Sequence, residues 1–152
     1  MNPVRKLLIR HRFSVLLFAA TEALEVLLGV LITLWGLWLL NPQFAAFSAS
    51  KTFDTMNQIA PEELWGFVAV VIGLTQLLGL VREDRKSRMV GSFFAFLFWL
   101  FLTLLFIASN PQTTGIVTYS VISLSAGWVY LRLGWYLQVS VNQAVPGEAK
   151  NE

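Results

Sequence analysis

The chain has 152 residues, of which 56% are hydrophobic and only 13% charged, with a net charge of +2 and a mean hydropathy of +0.64. A soluble domain carries about 25% charged residues, so this composition excludes an ordinary water-soluble domain and points to a lipid environment. It contains no cysteine and a single histidine, which excludes a disulfide framework, a thiol nucleophile and Cys- or His-built metal sites. The modest positive charge is gathered near the ends of apolar runs, a pattern that suits anionic lipid headgroups better than nucleic acid.

Residues 1–12, MNPVRKLLIRHR, alternate Arg5, Lys6, Arg10 and Arg12 with apolar residues. They read as an amphipathic interfacial segment with its cations at headgroup level. His11 within it reads as a solvated interfacial side chain. The apolar run from Phe13 to Leu40 exceeds the roughly 20 residues a span requires. It defines a first span over about 16–40, closed by Asn41-Pro42. Two carboxylates, Glu22 and Glu25, lie inside it. On an insertion scale its apolar side chains contribute roughly −7 kcal/mol and two ionised glutamates cost about +6, so the span nearly breaks even and must lean on its neighbours.

Residues 41–61 form the one long loop. Phe44, Phe47, Phe53, Met56 and Ile59 give it an apolar stripe consistent with a helix lying on the outer surface. Ser48-Ala49-Ser50 resembles a signal-peptidase site, but the run before it is too long and too acidic for a signal peptide. Pro61-Glu62-Glu63 starts a second span over about 63–81, with Thr75 and Gln76 deep inside. Arg82 to Arg88 closes a basic turn in which Arg85, Lys86 and Arg88 read as headgroup contacts. The third span, about 90–108, is crowded with phenylalanines and carries Thr103 inside; it reads as the most lipid-exposed of the four. Ser109-Asn110-Pro111-Gln112 is a short turn, and the fourth span covers about 114–135. Residues 139–152 read as a disordered tail. Every Lys or Arg except Lys51 falls on the side of the N-terminus, the 82–88 turn and the C-terminus, so the positive-inside rule puts both termini in the cytoplasm.

The predicted fold is therefore an all-α, integral-membrane four-helix bundle over residues 13–138. A tandem two-helix repeat is suggested by Asn-Pro-Gln at 41–43 and 110–112, Thr33 and Thr103 about two turns earlier, and arginines Arg82 and Arg132 after Gly66 and Gly115. Gly29 and Gly36, Gly66 and Gly73, and Gly127 and Gly134 lie seven apart, so each pair shares a helix face. Such stripes serve close packing inside a bundle or between protomers.

Three readings of Glu22 and Glu25 stand side by side. They form an ion pair with Arg132, or with Arg82 or Arg85 reaching inward; they line a polar crevice or pore with Gln76, Thr103 and Ser123; or they couple to protons through a raised carboxyl pKa. No serine has a histidine in reach, and no phosphate-binding loop, dinucleotide fingerprint or nucleophile elbow is present. Enzymatic activity and a bound cofactor or metal are not expected.

Trp65 with Gly73 and Gln76, the Arg82–Arg88 turn, Trp99 before Asn110-Pro111, and Tyr130-Leu131-Arg132 give a layout that resembles small multi-helix membrane proteins of bacteria and tailed phages, some of them holin-like. The resemblance implies homo-oligomerisation in the inner membrane and channel-type permeabilisation. Holins often end in a strongly basic tail, whereas this C-terminus sets Lys150 against Glu148 and Glu152. The alternative function is an accessory or anchoring subunit of a larger membrane complex, without conduction.

Overall fold

A computed structural model describes the backbone of residues 3–44, 46–49 and 53–144, and the side chains of residues 21–44, 46–48 and 53–135. The headgroup contacts expected of Arg5, Lys6, Arg10 and Arg12, the environment of His11, and the chain beyond residue 144 lie outside the described residues.

The elements are α1 (Pro3–Leu39), α2 (Ala46–Ala49), α3 (Asp54–Ile59), α4 (Glu62–Val81), α5 (Arg85–Ser109) and α6 (Gly115–Ala144). The protein is an all-α bundle with four helices long and apolar enough to cross a membrane: Thr21–Leu39, Glu62–Val81, Arg85–Ser109 and Gly115–Trp135. α1 is continuous from the basic segment into the span, with no break after residue 12. α6 continues to Ala144, so residues 139–144 extend the helix instead of beginning a tail.

Two hairpins make the bundle. α1 packs on α4, α5 packs on α6, and α4 joins the hairpins by packing on α5, while α1 and α6 meet only sparingly. The α1–α4 contact is a glycine seam. A Cβ at Gly36 would lie 2.6 Å from the Gly66 carbonyl oxygen, and one at Gly66 would lie 2.8 Å from that of Gly36. A Cβ at Gly73 would lie 2.9 Å from the Gly29 carbonyl oxygen, and one at Gly29 would lie 3.7 Å from that of Gly73. With no hydrophobic drive between helices in lipid, such backbone approach supplies the dispersion contact that holds them.

The two hairpins repeat one another. From Glu25 to Trp38 the buried and exposed positions of α1 recur almost one for one in α5 seventy residues later, so that Leu28 and Phe98, Ile32 and Leu102, and Gly36 and Phe106 are buried alike. From Val71 to Val81 the pattern of α4 recurs in α6 fifty residues later, with Gly73, Gln76 and Gly79 matching Ser123, Ala126 and Val129. Both Asn-Pro-Gln turns fold identically: Asn41 Oδ1 accepts from the Gln43 N–H at 3.1 Å, and Asn110 Oδ1 accepts from the Gln112 N–H at 3.2 Å. Each asparagine carbonyl then accepts an N–H three residues on.

Two expectations are corrected. α5 is the most enclosed span, with half of its apolar window buried, against 22% for α6. Phe98, Trp99 and Phe106 face inward, while Phe93, Phe94 and Phe101 stay exposed: Trp99 packs edge-on to Trp35 with ring centroids 5.6 Å apart and stacks on Tyr119 at 5.3 Å, and Phe106 stacks on Tyr119 at 5.0 Å. Hydropathy does not separate lipid-facing from core-facing aromatics, because both environments are apolar. Nor does the long loop lie flat as a surface helix. It folds over the end of the bundle, burying Phe47 and Met56 while Phe44 and Ile59 stay exposed. Glu62 fastens it: its two carboxylate oxygens accept the N–H groups of Ala46 and Phe47 at 2.9 and 3.1 Å. The Trp65 indole N–H points at the carbonyls of Met56 and Ala60. Pro61 is the N-cap of α4, one position ahead of the helix.

Candidate functional site

The polar centre of the bundle forms at the end opposite the loop, and its key residue is supplied by how α5 begins. Asp84 caps this helix, its side chain accepting the N–H groups of Lys86 and Ser87. The cap draws Arg85 to Arg88 out of the turn and into the first helical turn. Arg88 is thereby placed four residues before Ser92 and seven before Ala95, both fully buried, on the face that looks into the bundle.

There it meets Glu25. Arg88 Nε donates to Glu25 Oε2 and Nη2 to Oε1, both at 2.8 Å. Glu25 is wholly inaccessible to solvent, and the Arg88 side chain is 12% exposed. The planar guanidinium fork satisfies both carboxylate oxygens together, which a lysine cannot do. Glu22, one turn earlier and 58% exposed, stands at 3.8 Å from Arg88 Nη2 and adds a longer-range attraction. Gln76 of α4 completes the network: its Nε2 donates to the Glu25 backbone carbonyl at 3.3 Å and reaches Ser92 Oγ at 3.5 Å. Three helices are thus tied by polar groups at one level.

Gly91 makes this geometry accessible. A Cβ there would lie 2.9–3.0 Å from the Gln76 backbone nitrogen, Cα and Cβ, so any side chain would push α4 and α5 apart and withdraw Gln76 from Ser92.

Glu25 is paired with Arg88, a residue the sequence assigned to lipid headgroups. Arg132, half-buried on α6, lines the same recess of about 70 Å³ as Glu22, Glu25, Arg85 and Arg88, beside Thr21 and Leu133. Arg85 and Lys86 are exposed. Of the five residues suggested as a polar lining, Glu25 and Gln76 come together and Glu22 borders them. Thr103 instead donates to the Trp99 carbonyl of its own helix at 2.8 Å, and Ser123 donates to the Phe96 carbonyl at 3.2 Å, joining α6 to α5. Gly29, Gly36, Gly66 and Gly73 are consumed in the α1–α4 seam, Gly127 packs on the Phe96 ring, and a Cβ at Gly134 would point into open space. Among the described residues no three His, Cys, Asp or Glu side chains gather as a metal site would require.

Sequence reasoning missed Arg88, Ser92 and Gly91. The signal was Asp84, an N-cap residue directly before an unbroken helical stretch. Compared with known proteins, the chain matches no protein-family model, no curated protein and no solved structure.

Chemically, the centre is a clamp. Both oxygens of Glu25 accept N–H donors from Arg88, and its charge is compensated where it is buried.

Proposed function

We propose that this chain is a non-enzymatic, non-conducting component of the cytoplasmic membrane that serves as an accessory or anchoring subunit, with both termini on the cytoplasmic side. The observation that carries the reading is the closed state of Glu25: a pore would need this carboxylate and Gln76 to face water, whereas Glu25 is sealed by Arg88 and Gln76 is fully buried. The interior towards the loop end is filled by Trp99, Leu102 and Ile32. The orientation rests on the cations concentrated at the N-terminus and the 82–88 turn. A bundle that spends four of its seam glycines internally keeps its outer apolar faces for lipid or for another membrane protein, which favours association through those faces.

The test is reconstitution of the full chain into liposomes loaded with a small fluorescent dye. The expected result is retention of dye over a wide range of protein-to-lipid ratios. Dye release or discrete conductance at low protein density overturns the proposal and restores the holin-like alternative. Because the chain lacks cysteine, Lys86→Cys provides a single label site for orientation; modification by an impermeant reagent in intact cells would reverse the assigned topology.

A further inference from the structure

We infer that α2 and α3 form a lid over the Asn-Pro-Gln end of the bundle, latched by the single carboxylate of Glu62, and that this lid opens as one unit while the four spans stay packed. The lid is a conformational device of the fold and holds whether or not the chain conducts.

The likeness of the hairpins shows that the lid is an addition to the bundle. Both hairpins leave their first span through the same Asn-Pro-Gln turn. In the second, Thr113 and Thr114 alone separate Gln112 from Gly115, where α6 begins. In the first, residues 44–61 intervene before Glu62 starts α4. Closing such a hairpin does not require them, and a connection of that length in a compact bundle is where lids and binding loops are found. The lid also reaches beyond its own hairpin. Phe53 packs edge-on to Phe106 of α5 with ring centroids 5.5 Å apart, and the hydroxyls of Thr55 and Ser109 share a hydrogen bond at 2.6 Å.

Phe47 of α2 stacks on Phe53, the residue before α3, with ring centroids 5.2 Å apart, which couples the two short helices into one body. On the bundle side Met56 is fully buried, and the Trp65 indole N–H is shared between the carbonyls of Met56 and Ala60 at 3.3 and 3.2 Å. Glu62 is the latch because of what it holds. The N–H groups that it accepts belong to Ala46 and Phe47, which are 4% and 5% exposed. Removing the carboxylate deprives two enclosed donors of their acceptor, a cost that opening relieves by hydrating them. The glycine seam of α1 with α4 and the clamp of Glu25 with Arg88 contain no residue of α2 or α3. The lid can therefore leave without undoing what holds the spans, the condition for a separate local opening.

The experiment is hydrogen–deuterium exchange of the full chain in detergent micelles, read by mass spectrometry on α3 and on Ala60, whose N–H donates to the Met56 carbonyl at 3.0 Å. The amides read there are not those that Glu62 holds, so they report opening of the whole lid and not loss of the latch contacts themselves. Glu62→Ala is expected to speed their exchange about tenfold or more, the scale of hydrogen bonds to a carboxylate, with the interiors of α4, α5 and α6 unchanged. Glu62→Gln keeps one acceptor oxygen and should give a smaller acceleration, which preserves the test if the alanine variant misfolds. Glu63→Ala removes the neighbouring exposed carboxylate and should give none. Because the chain has no cysteine, Met56→Cys adds a single buried thiol under the lid, and its reaction with a water-soluble maleimide should quicken in the same order. Unchanged exchange of α3 in Glu62→Ala overturns the latch, as does an equal acceleration by Glu63→Ala. Acceleration of α3 and the spans together overturns the lid as a separate unit. A chain that leaks dye while its lid behaves as expected loses only the non-conducting reading.

Discussion

Position 25 of the first hairpin is a buried glutamate, and its counterpart seventy residues later in the second hairpin is the buried Ala95. Gln76 of α4 likewise corresponds to Ala126 of α6, also buried. The two hairpins thus agree on which positions face inward and differ in what stands there. Helix geometry is enough to repeat the pattern of burial, whatever the length of the connection, because the same face of each helix must meet its partner. The chemistry is not repeated. Carboxylate, amide and guanidinium meet where the hairpins join, tying α1, α4 and α5, while the matching positions of the second hairpin, Ala95 and Ala126, are apolar. Two hairpins alike in burial therefore carry one polar clamp instead of two, and α1 and α6 meet only sparingly.

The clamp is the strongest place to break the comparison. Arg88→Met leaves Glu25 buried without its partner and should cost about 3–5 kcal/mol, since removing one member of a buried pair strands the other charge. Glu25→Leu combined with Arg88→Met turns the first hairpin's polar position into a neutral one like Ala95 and should recover most of that loss. Glu22→Gln, at an exposed residue only loosely engaged, should change stability by less than about 1 kcal/mol. Reversible unfolding in mixed micelles measures all of these. A double variant no better than the single one would mean that the pair is needed for more than charge compensation.

This pair also marks the limit of what the sequence disclosed. The four spans, the Asn-Pro-Gln turns and the likeness of the hairpins could be read because apolar length, proline and repetition are one-dimensional signals. So could the need of Glu25 for shelter, since a charge inside an apolar run is conspicuous. The identity of its partner could not, because Arg88 belongs either to a loop or to a helix according to whether Asp84 caps, and only a helix turns it inward. The central place of α5 was hidden for a different reason: Phe98, Trp99 and Phe106 have the same hydropathy whether they touch lipid or Tyr119. The loop's fold over the bundle end depends on Glu62 reaching back to Ala46 and Phe47, a contact across sixteen residues that no local pattern encodes.

A smaller effect sharpens the contrast between glycines of the two hairpins. Gly36 in the first is enclosed by the backbone of α4, with the Gly66 oxygen, the Val70 nitrogen and the Ala69 Cβ all within 2.9 Å of where a Cβ would sit. Backbone cannot rotate aside, so Gly36→Ala should separate α1 from α4 at a cost of about 1–3 kcal/mol. Gly134 in the second hairpin has open space around it. There the same substitution should be neutral, or stabilising by up to about 1 kcal/mol through helix propensity. If both variants unfold alike, the close approach at Gly36 is not what holds the first hairpin together.

The smallest expected effect lies in the link between the hairpins, where Asp84 starts α5 and so places Arg88. The Ser87 hydroxyl and the Lys86 backbone N–H, its strongest influences, favour the ionised carboxylate and hold its pKa below the ordinary value of 3.8. The folded state then binds this proton less readily than the unfolded chain does. Its contribution to stability is complete above pH 3.8 and fades as the pH falls through the lowered folded value. Asp84→Asn keeps a side-chain oxygen for the cap, since asparagine is as good an N-cap as aspartate, but removes the titration. The variant should therefore match the wild type closely near neutral pH and lose less stability on acidification below pH 4, roughly the range in which a free aspartate protonates. Because the cap is exposed, the difference should be slight and should shrink further in salt. Parallel acid profiles for the two proteins would show that the start of α5, and with it the inward aim of Arg88, is held by its packing against α4 and not by the charge on its cap.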